Sequence, residues 1–485
     1  MNVVKESDTV KRSVLKLGCA PTRRDLFDIG EAIRYKDLIL EKVREFGINS
    51  VDIDGINNEG LLFNERDVKP IIRRFKEAEV DALFFPHCNF GTEDLVAKVA
   101  KEMNIPVLIW GPRDESPLET GLRTRDTQCG LFAAGKVLRR FKVPFTYLNN
   151  CWLDSRYFKE GIYRFIAAAN VVKEFRKLRV LQISTRPTGF WSVIINENEL
   201  LEKFGIQIYP ITLQELVDKA QRIQEEETEE YLEAVEFMGK NIHCSGTEDK
   251  FQKIAALKCA IVEFAALHSC NAAAIQCWNS LQKIYGIMPC LVNSILSDEG
   301  LPCACETDIH GAISAVMIQA ACMNEKAHFF GDITVRHPEK SNVELLWHCG
   351  PFPFSLAKDP SRAEAGNHWI LTEGEFGTCE WEIKGGDITI ARFDGDGGDY
   401  RLLIGEGRGV DGPFTRGTYV WFETGNWPKW ERKIVKGPYI HHIAGIHGKV
   451  GDILLEACNY IPGLMPDPVE PSLEELEGRW LEEPF

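Results

Sequence analysis

Short apolar runs alternate with stretches of helical periodicity through the first two thirds of the chain. Residues 13–18, 50–53, 82–86, 106–110 and 145–148 read as strands. Between them, residues 31–46, 67–78, 92–103 and 128–140 place apolar residues at helical spacing, with Thr92 as an N-cap. Strands that are apolar throughout, separated by amphipathic helices, predict a parallel sheet covered on both faces. Ligands of such sheets collect beyond the carboxyl ends of the strands. The loops there are residues 19–25, 87–92 and 111–115.

The alternation resumes at residues 179–184. A loop at 185–191 follows, then a helix at 197–204, a strand at 206–209, helices at 213–238 and 247–268, and a strand at 272–276. A helix at 312–323 and a strand ending at Asp332 close this block. From about residue 340 glycines and aromatics become denser, and period-two alternation appears in 379–383, 387–393 and 400–405. Gly385-Gly386 and residues 395–398 read as turns between those strands. An acidic helix is expected at 470–485. The chain is thus expected to be α/β, with two doubly wound Rossmann-like or flavodoxin-like domains at 1–175 and 176–338. The second carries the acids described below. A β-rich, antiparallel barrel-like domain follows at 339–485.

Composition narrows the function. The 485 residues are 44% apolar and 26% charged, which is ordinary for a soluble protein of several domains. A formal charge of −16 argues against nucleic acid or an anionic membrane as partner, because both demand a basic footprint. The pairs Arg23-Arg24, Arg73-Arg74 and Arg139-Arg140 are short and interrupted by acids. The first residues have no apolar run of the signal-peptide kind, and no segment approaches about 18 consecutive apolar residues. With 15 cysteines, this predicts reduced thiols and a cytoplasmic protein. Cys303-Ala-Cys305 is too tight for a C-x-x-C zinc clamp, and the cysteines are expected to be small buried hydrophobes.

Several chemistries drop out on motif grounds. The glycine-rich stretches 394–399 and 405–409 lie between strands, whereas a dinucleotide loop joins a strand to a helix. No G-x-S-x-G elbow occurs. What remains is a pair of acids, Glu306 ahead of a helix and Asp332 at a strand end, with His441-His442 downstream. Two hard oxygen donors and an imidazole suit Mn²⁺, Mg²⁺ or Co²⁺ better than a structural zinc. On spacing alone, Glu306 also reads as a helix-dipole partner, Asp332 as a turn residue and the histidines as a buried polar pair.

Motifs spread along the chain extend this reading. Pro21-Thr-Arg-Arg24, Arg186-Pro-Thr-Gly-Phe-Trp191, Ala304-Cys-Glu-Thr-Asp308, Gly331-Asp332, Tyr439-Ile-His-His442 and residues 451–454 together resemble the L-fucose isomerase/L-arabinose isomerase superfamily. The resemblance implies two α/β domains, a β-rich C-terminal domain, one Mn²⁺-type ion per subunit and a homo-oligomer. That oligomer would be a hexamer, or a trimer, with active sites between subunits. It also implies Glu306, Asp332 and His442 as metal ligands, with His348, or His447, as a further member. The activity implied is metal-dependent aldose–ketose isomerisation of a pentose, a deoxyhexose or a substituted, anionic hexose. Proton transfer through an enediol would fall to Glu306 and Asp332. Arg23, His87, Arg186, Trp191, Trp278 and Trp347 are expected to bind the sugar, the arginines through an anionic substituent. A carboxylate-pair glycoside hydrolase and a non-catalytic sugar-binding protein are the alternatives.

Overall fold

Five short strands, β1 (Leu17–Cys19), β2 (Ser50–Val51), β3 (Ala82–Pro86), β4 (Val107–Trp110) and β5 (Thr146–Tyr147), pair in parallel in the order β2-β1-β3-β4-β5. Helices Ile29–Glu45, Glu65–Glu77, Glu93–Met103 and Thr127–Arg140 connect them, as the periodicity predicts. The apolar faces of the last three pack with β3 and β4 into one core that includes Ile71, Phe75, Phe85, Val96 and Leu138. In the computed structural model, which describes residues 15–245, 249–371 and 375–481, these elements form one of two compact units. Residues 13, 14, 247, 248 and 482–485, at the ends of three expected elements, lie outside the described residues. Thr92 is the N-cap of its helix, but its hydroxyl bonds Thr22 Oγ1 and the Leu62 carbonyl rather than the helix.

The other unit contains Glu174–Leu454 and Gly463–Leu473. Strands β6 (Arg179–Ile183), β7 (Gln207–Ile211), β9 (Ala272–Ile275) and β10 (Cys303–Ala304) form a parallel sheet in the order β10-β9-β6-β7. The single helix expected over 213–238 is two, Leu213–Glu226 and Glu229–Asn241. The break is local: Glu227 is left-handed at φ 47°, and the Thr228 hydroxyl accepts from Tyr231 N–H to start the second helix.

The remaining strands are β8 (His243–Cys244), β11 (Phe329–Arg336), β12 (Val343–His348), β13 (Glu364–Asn367), β14 (Phe376–Glu382), β15 (Gly386–Asp396), β16 (Asp399–Val410), β17 (Thr418–Glu423), β18 (His442–His447) and β19 (Leu464–Glu470). Ten strands run in the order β19-β16-β15-β18-β11-β12-β17-β14-β13-β8, and a further β16–β17 pairing closes six of them into an antiparallel ring. Closure removes the free edges that such strands would otherwise present. β11 was expected to end at Asp332 and complete the parallel block. It continues to Arg336 and belongs to the ring, with Asp332 opposite His442 on one neighbour and opposite Trp347 on the other. The helix expected at 312–323 is Ile309–Ala320, buried along its whole length. It starts early because Asp308 caps it, its carboxylate accepting from Gly311 N–H at 2.9 Å.

Candidate metal centre

Glu306 lies ahead of the Ile309–Ala320 helix, just before its Asp308 N-cap. It lies in a 3-10 turn, Cys305–Thr307, at the end of β10, where Glu306 and Thr307 are both left-handed at φ 53° and 56°. Consecutive non-glycine residues in that region are costly and persist only where the surroundings impose them. The turn fixes both carboxylate oxygens. Oε1 accepts from Trp278 Nε1 at 3.2 Å and lies 3.2 Å from Cys277 Sγ, while Oε2 is buried with no hydrogen-bond partner. Asp332 Oδ1 is buried and unpartnered as well. His442 Nε2 faces both, 3.7 Å from Glu306 Oε2 and 3.5 Å from Asp332 Oδ1.

Each of these two separations from His442 Nε2 could be bridged by a cation shared with the carboxylate oxygen. Ligand atoms each about 2.1 Å from one ion stand roughly 3–3.5 Å apart. Two unpartnered buried carboxylate oxygens are otherwise expensive. Oxygen, oxygen and imidazole nitrogen make a donor set for a hard or borderline divalent ion.

The histidine is prepared for this from behind. His442 Nδ1 lies 2.8 Å from Asp308 Oδ2, and since a carboxylate only accepts, Nδ1 carries the proton and Nε2 offers its lone pair. Asp308 in turn pairs with Arg392, whose Nε reaches Asp394 Oδ2 at 2.8 Å. Asp394 Oδ1 is 3.0 Å from His310 Nδ1. Sequence reasoning assigned none of these four residues a role. Only Asp308 fell inside a family-like motif, and Arg392 lies far along the chain on β15. Burial would push the Glu306 carboxyl up, but His348 and His442 outweigh it and hold it at about 2. Burial also opposes ionisation of Asp308, and Arg392 and His442 override it, so its pKa is depressed. For His442 burial lowers the pKa, and Asp308, Asp332 and Glu306 together raise it above the ordinary histidine value.

His348 differs from His442. Its Nε2 is 3.7 Å from Glu306 Oε2, but its Nδ1 accepts the Cys349 N–H at 2.9 Å. The neutral ring therefore keeps its proton on Nε2, which makes it a donor toward Glu306 rather than a lone-pair ligand. His447 turns elsewhere, to the Lys384 carbonyl at 2.7 Å.

Of the residues expected to bind sugar, Trp278 touches Glu306 directly. Trp191 is 74% exposed, and its neighbour Phe190 takes the inward position. The Phe190 ring lies 5.9 Å from Trp278 and 6.0 Å from His442, centroid to centroid. Arg186 is half-buried on the same loop and forms no ion pair among the described residues; its guanidinium reaches only the Pro187 carbonyl, at 3.5 Å. Trp347 stacks beside His348 and donates Nε1–H to the Arg416 carbonyl. Arg23 and His87 belong to the other unit. There Arg23 is matched to Glu59 and Asp25 beneath Phe63, so its donors are engaged. His87 bonds the Phe90 carbonyl, leaves Nε2 unpartnered, and is pushed down to about 4 by burial.

Residues 18–176 match the N-terminal domain of the fucose/sulfoquinovose isomerases, and residues 346–463 match the C-terminal domain of L-fucose isomerase. The chain belongs to the fucose isomerase superfamily. Within it, a sulfoquinovose isomerase of Priestia aryabhattai is 26% identical over 441 residues, covering 90% of this chain and 95% of that protein. A sulfoquinovose isomerase of Alkalicoccus urumqiensis is 28% identical over 334 residues, 69% of this chain and 73% of that one. His348 and His442 lie inside the matched C-terminal domain, whereas Glu306 and Asp332 lie between the two matched segments. Among solved structures, a periplasmic solute-binding protein of Actinobacillus succinogenes 130z with bound D-allose covers 64% of this chain and 89% of its own at 13% identity. Its TM-score is 0.14. Among the described residues no helix is long and apolar enough to cross a membrane.

Proposed function

We propose that this chain interconverts the aldose and ketose forms of a sulfonated hexose with the help of a divalent cation of the Mn²⁺ type. As a superfamily member the chain is an aldose–ketose isomerase. The observation that carries the metal reading is the convergence of two unpartnered buried carboxylate oxygens on one imidazole lone pair. Glu306, Asp332 and His442 would hold the cation. When bound, it supplies a Lewis acid for the oxygens at C1 and C2 of the sugar.

The chain's own residues account for the rest. The difficulty of the reaction is the weak acidity of a carbon next to a carbonyl. A carboxylate kept ionised beside that carbon removes its proton and returns it to the neighbouring carbon through an enediol. Glu306 and Asp332 form the pair that does this. Glu306 is held ionised at a site from which water is largely excluded. His348 Nε2–H donates beside them and serves the hydroxyl oxygens. Phe190 and Trp278 offer the apolar surface that a pyranose or open-chain sugar packs against. Arg186, without an ion pair and on the Phe190 loop, reads the sulfonate with a two-pronged hydrogen bond. The assembly we propose is a homo-oligomer, a hexamer or trimer, and size-exclusion chromatography with light scattering tests it.

The deciding experiment follows the sugar by NMR in deuterated water. Sulfoquinovose should convert to its ketose with deuterium entering at C1 or C2, stop converting in EDTA, and resume with Mn²⁺. Full turnover by metal-free protein would refute the metal reading. Conversion of unsubstituted hexoses alone would refute the sulfonate.

A further inference from the structure

The face of Glu306 turned away from His442 is lined with sulfur. Cys277 Sγ lies 3.2 Å from Glu306 Oε1, and Cys305 immediately precedes Glu306 in the chain. Cys305 Sγ, a Glu306 oxygen and a His348 ring nitrogen all fall within 4.8 Å of one another and are buried. Cys303-Ala-Cys305 is too tight for a clamp within one strand, but β9 and β10 are parallel neighbours. Cys277, just beyond β9, therefore supplies the second thiol from the adjacent strand. A hard ion such as Mn²⁺ has little use for two thiols, whereas zinc, cadmium and other soft ions prefer them.

We propose that Cys277, Cys305 and Glu306 form a second cation position, beside the Glu306–Asp332–His442 position, that takes a thiophilic divalent ion. Three protein ligands with an open fourth place match the arrangement zinc adopts where it is not purely structural. The ion displaces one proton from each thiol, M²⁺ + 2 RSH giving M(SR)₂ + 2 H⁺, with no change of oxidation state. His348 Nε2–H lies close enough to donate to the Cys305 sulfur. The two positions meet Glu306 through different oxygens, Oε1 on the sulfur side and Oε2 on the His442 side, so a cation at the sulfur position stands beside the other and opposes Mn²⁺ by charge repulsion.

The test is a Cd²⁺ titration of the metal-free, full-length chain, read by the ultraviolet sulfur-to-cadmium charge-transfer band. The expected result is a band that saturates at one ion per chain, is absent with Mn²⁺, and is lost in both Cys305→Ser and Cys277→Ala. Circular dichroism establishes that each variant is folded. Asp332→Asn should keep the band while losing turnover, so failure here is distinct from failure of the isomerase reading. No band in the wild-type chain would overturn the proposal. So would a band that survives both cysteine variants and follows the Cys290–Cys349 pair, whose sulfurs are 3.3 Å apart, or the exposed Cys129.

Discussion

Asp308 Oδ2 stands 2.8 Å from His442 Nδ1, with Arg392 paired to the same carboxylate. The aspartate is thus anchored by a fully buried guanidinium and in turn dictates which imidazole nitrogen faces Glu306 and Asp332. Loss of such a partner behind a metal-binding histidine costs about 10–100-fold in affinity or activity. Asp308→Asn should weaken Mn²⁺ binding by that order, measured by isothermal titration on the folded variant. An unchanged dissociation constant would show that His442 needs no such orientation.

Removal of Arg392 tests the same network through stability. Arg392→Met leaves Asp308 and Asp394 as buried charges without their cation, a change that typically costs about 3–5 kcal/mol. The urea midpoint should fall accordingly. A midpoint equal to wild type would mean that water reaches these acids in solution.

The two histidines near Glu306 should separate cleanly. His442→Gln, Glu306→Gln and Asp332→Asn should each leave a folded chain without stoichiometric Mn²⁺ and with turnover down by at least about 10²–10⁴-fold. His348→Gln should bind Mn²⁺ and lose rate alone. Metal content by mass spectrometry beside initial rates distinguishes the classes, and loss of Mn²⁺ in the His348 variant would return that ring to the ligand set.

Gly311 is a more distant lever on the same contact. A Cβ there would come 2.7 Å from Asp308 Oδ2 and 2.5 Å from Phe330 Cε2. Gly311→Ala should push the carboxylate off His442 and destabilise the fold by about 1–3 kcal/mol. Thermal melting and Mn²⁺ titration should therefore both shift.

Glu344 gives a pH signature remote from the chemistry. Burial raises its carboxyl to about 7, offset only in part by Arg336 at 3.2 Å. Between the ordinary value of 4.5 and about 7 the folded chain keeps a proton that the unfolded chain releases. Stability contributed by this group therefore falls as pH rises through that window. Glu344→Gln should flatten the slope, seen by comparing urea midpoints at about pH 5 and about pH 8. A slope unaltered by the substitution would place the proton elsewhere.

Much of this was legible in the residues. Alternation of strands and helices located β3, β4 and the helices around them, because local periodicity and burial agree there. Glu306, Asp332 and His442 emerged from residue type together with the motifs around them. Their actual settings were hidden. Asp332 lies within β11 rather than at its end, since ring closure by β12 and β18 extends the strand. Glu306 is set by a left-handed turn that no propensity favours. Arg392, Asp394 and His310 meet only after β15 folds over the Ile309–Ala320 helix, and residues 84 positions apart carry no local mark of adjacency. Phe190 was passed over for Trp191 because a loop has no period from which to read which ring turns inward.

The ring places Asp332 and His442 on adjacent strands, while Glu306 enters from the edge strand of the parallel sheet. A cation held by all three rivets the two sheets of this unit together. At about a hundredfold excess over its dissociation constant, such a ligand adds about 2.7 kcal/mol to folding. The melting temperature would then act as a gauge of metal supply. Starved of its ion, the protein would be short-lived as well as idle.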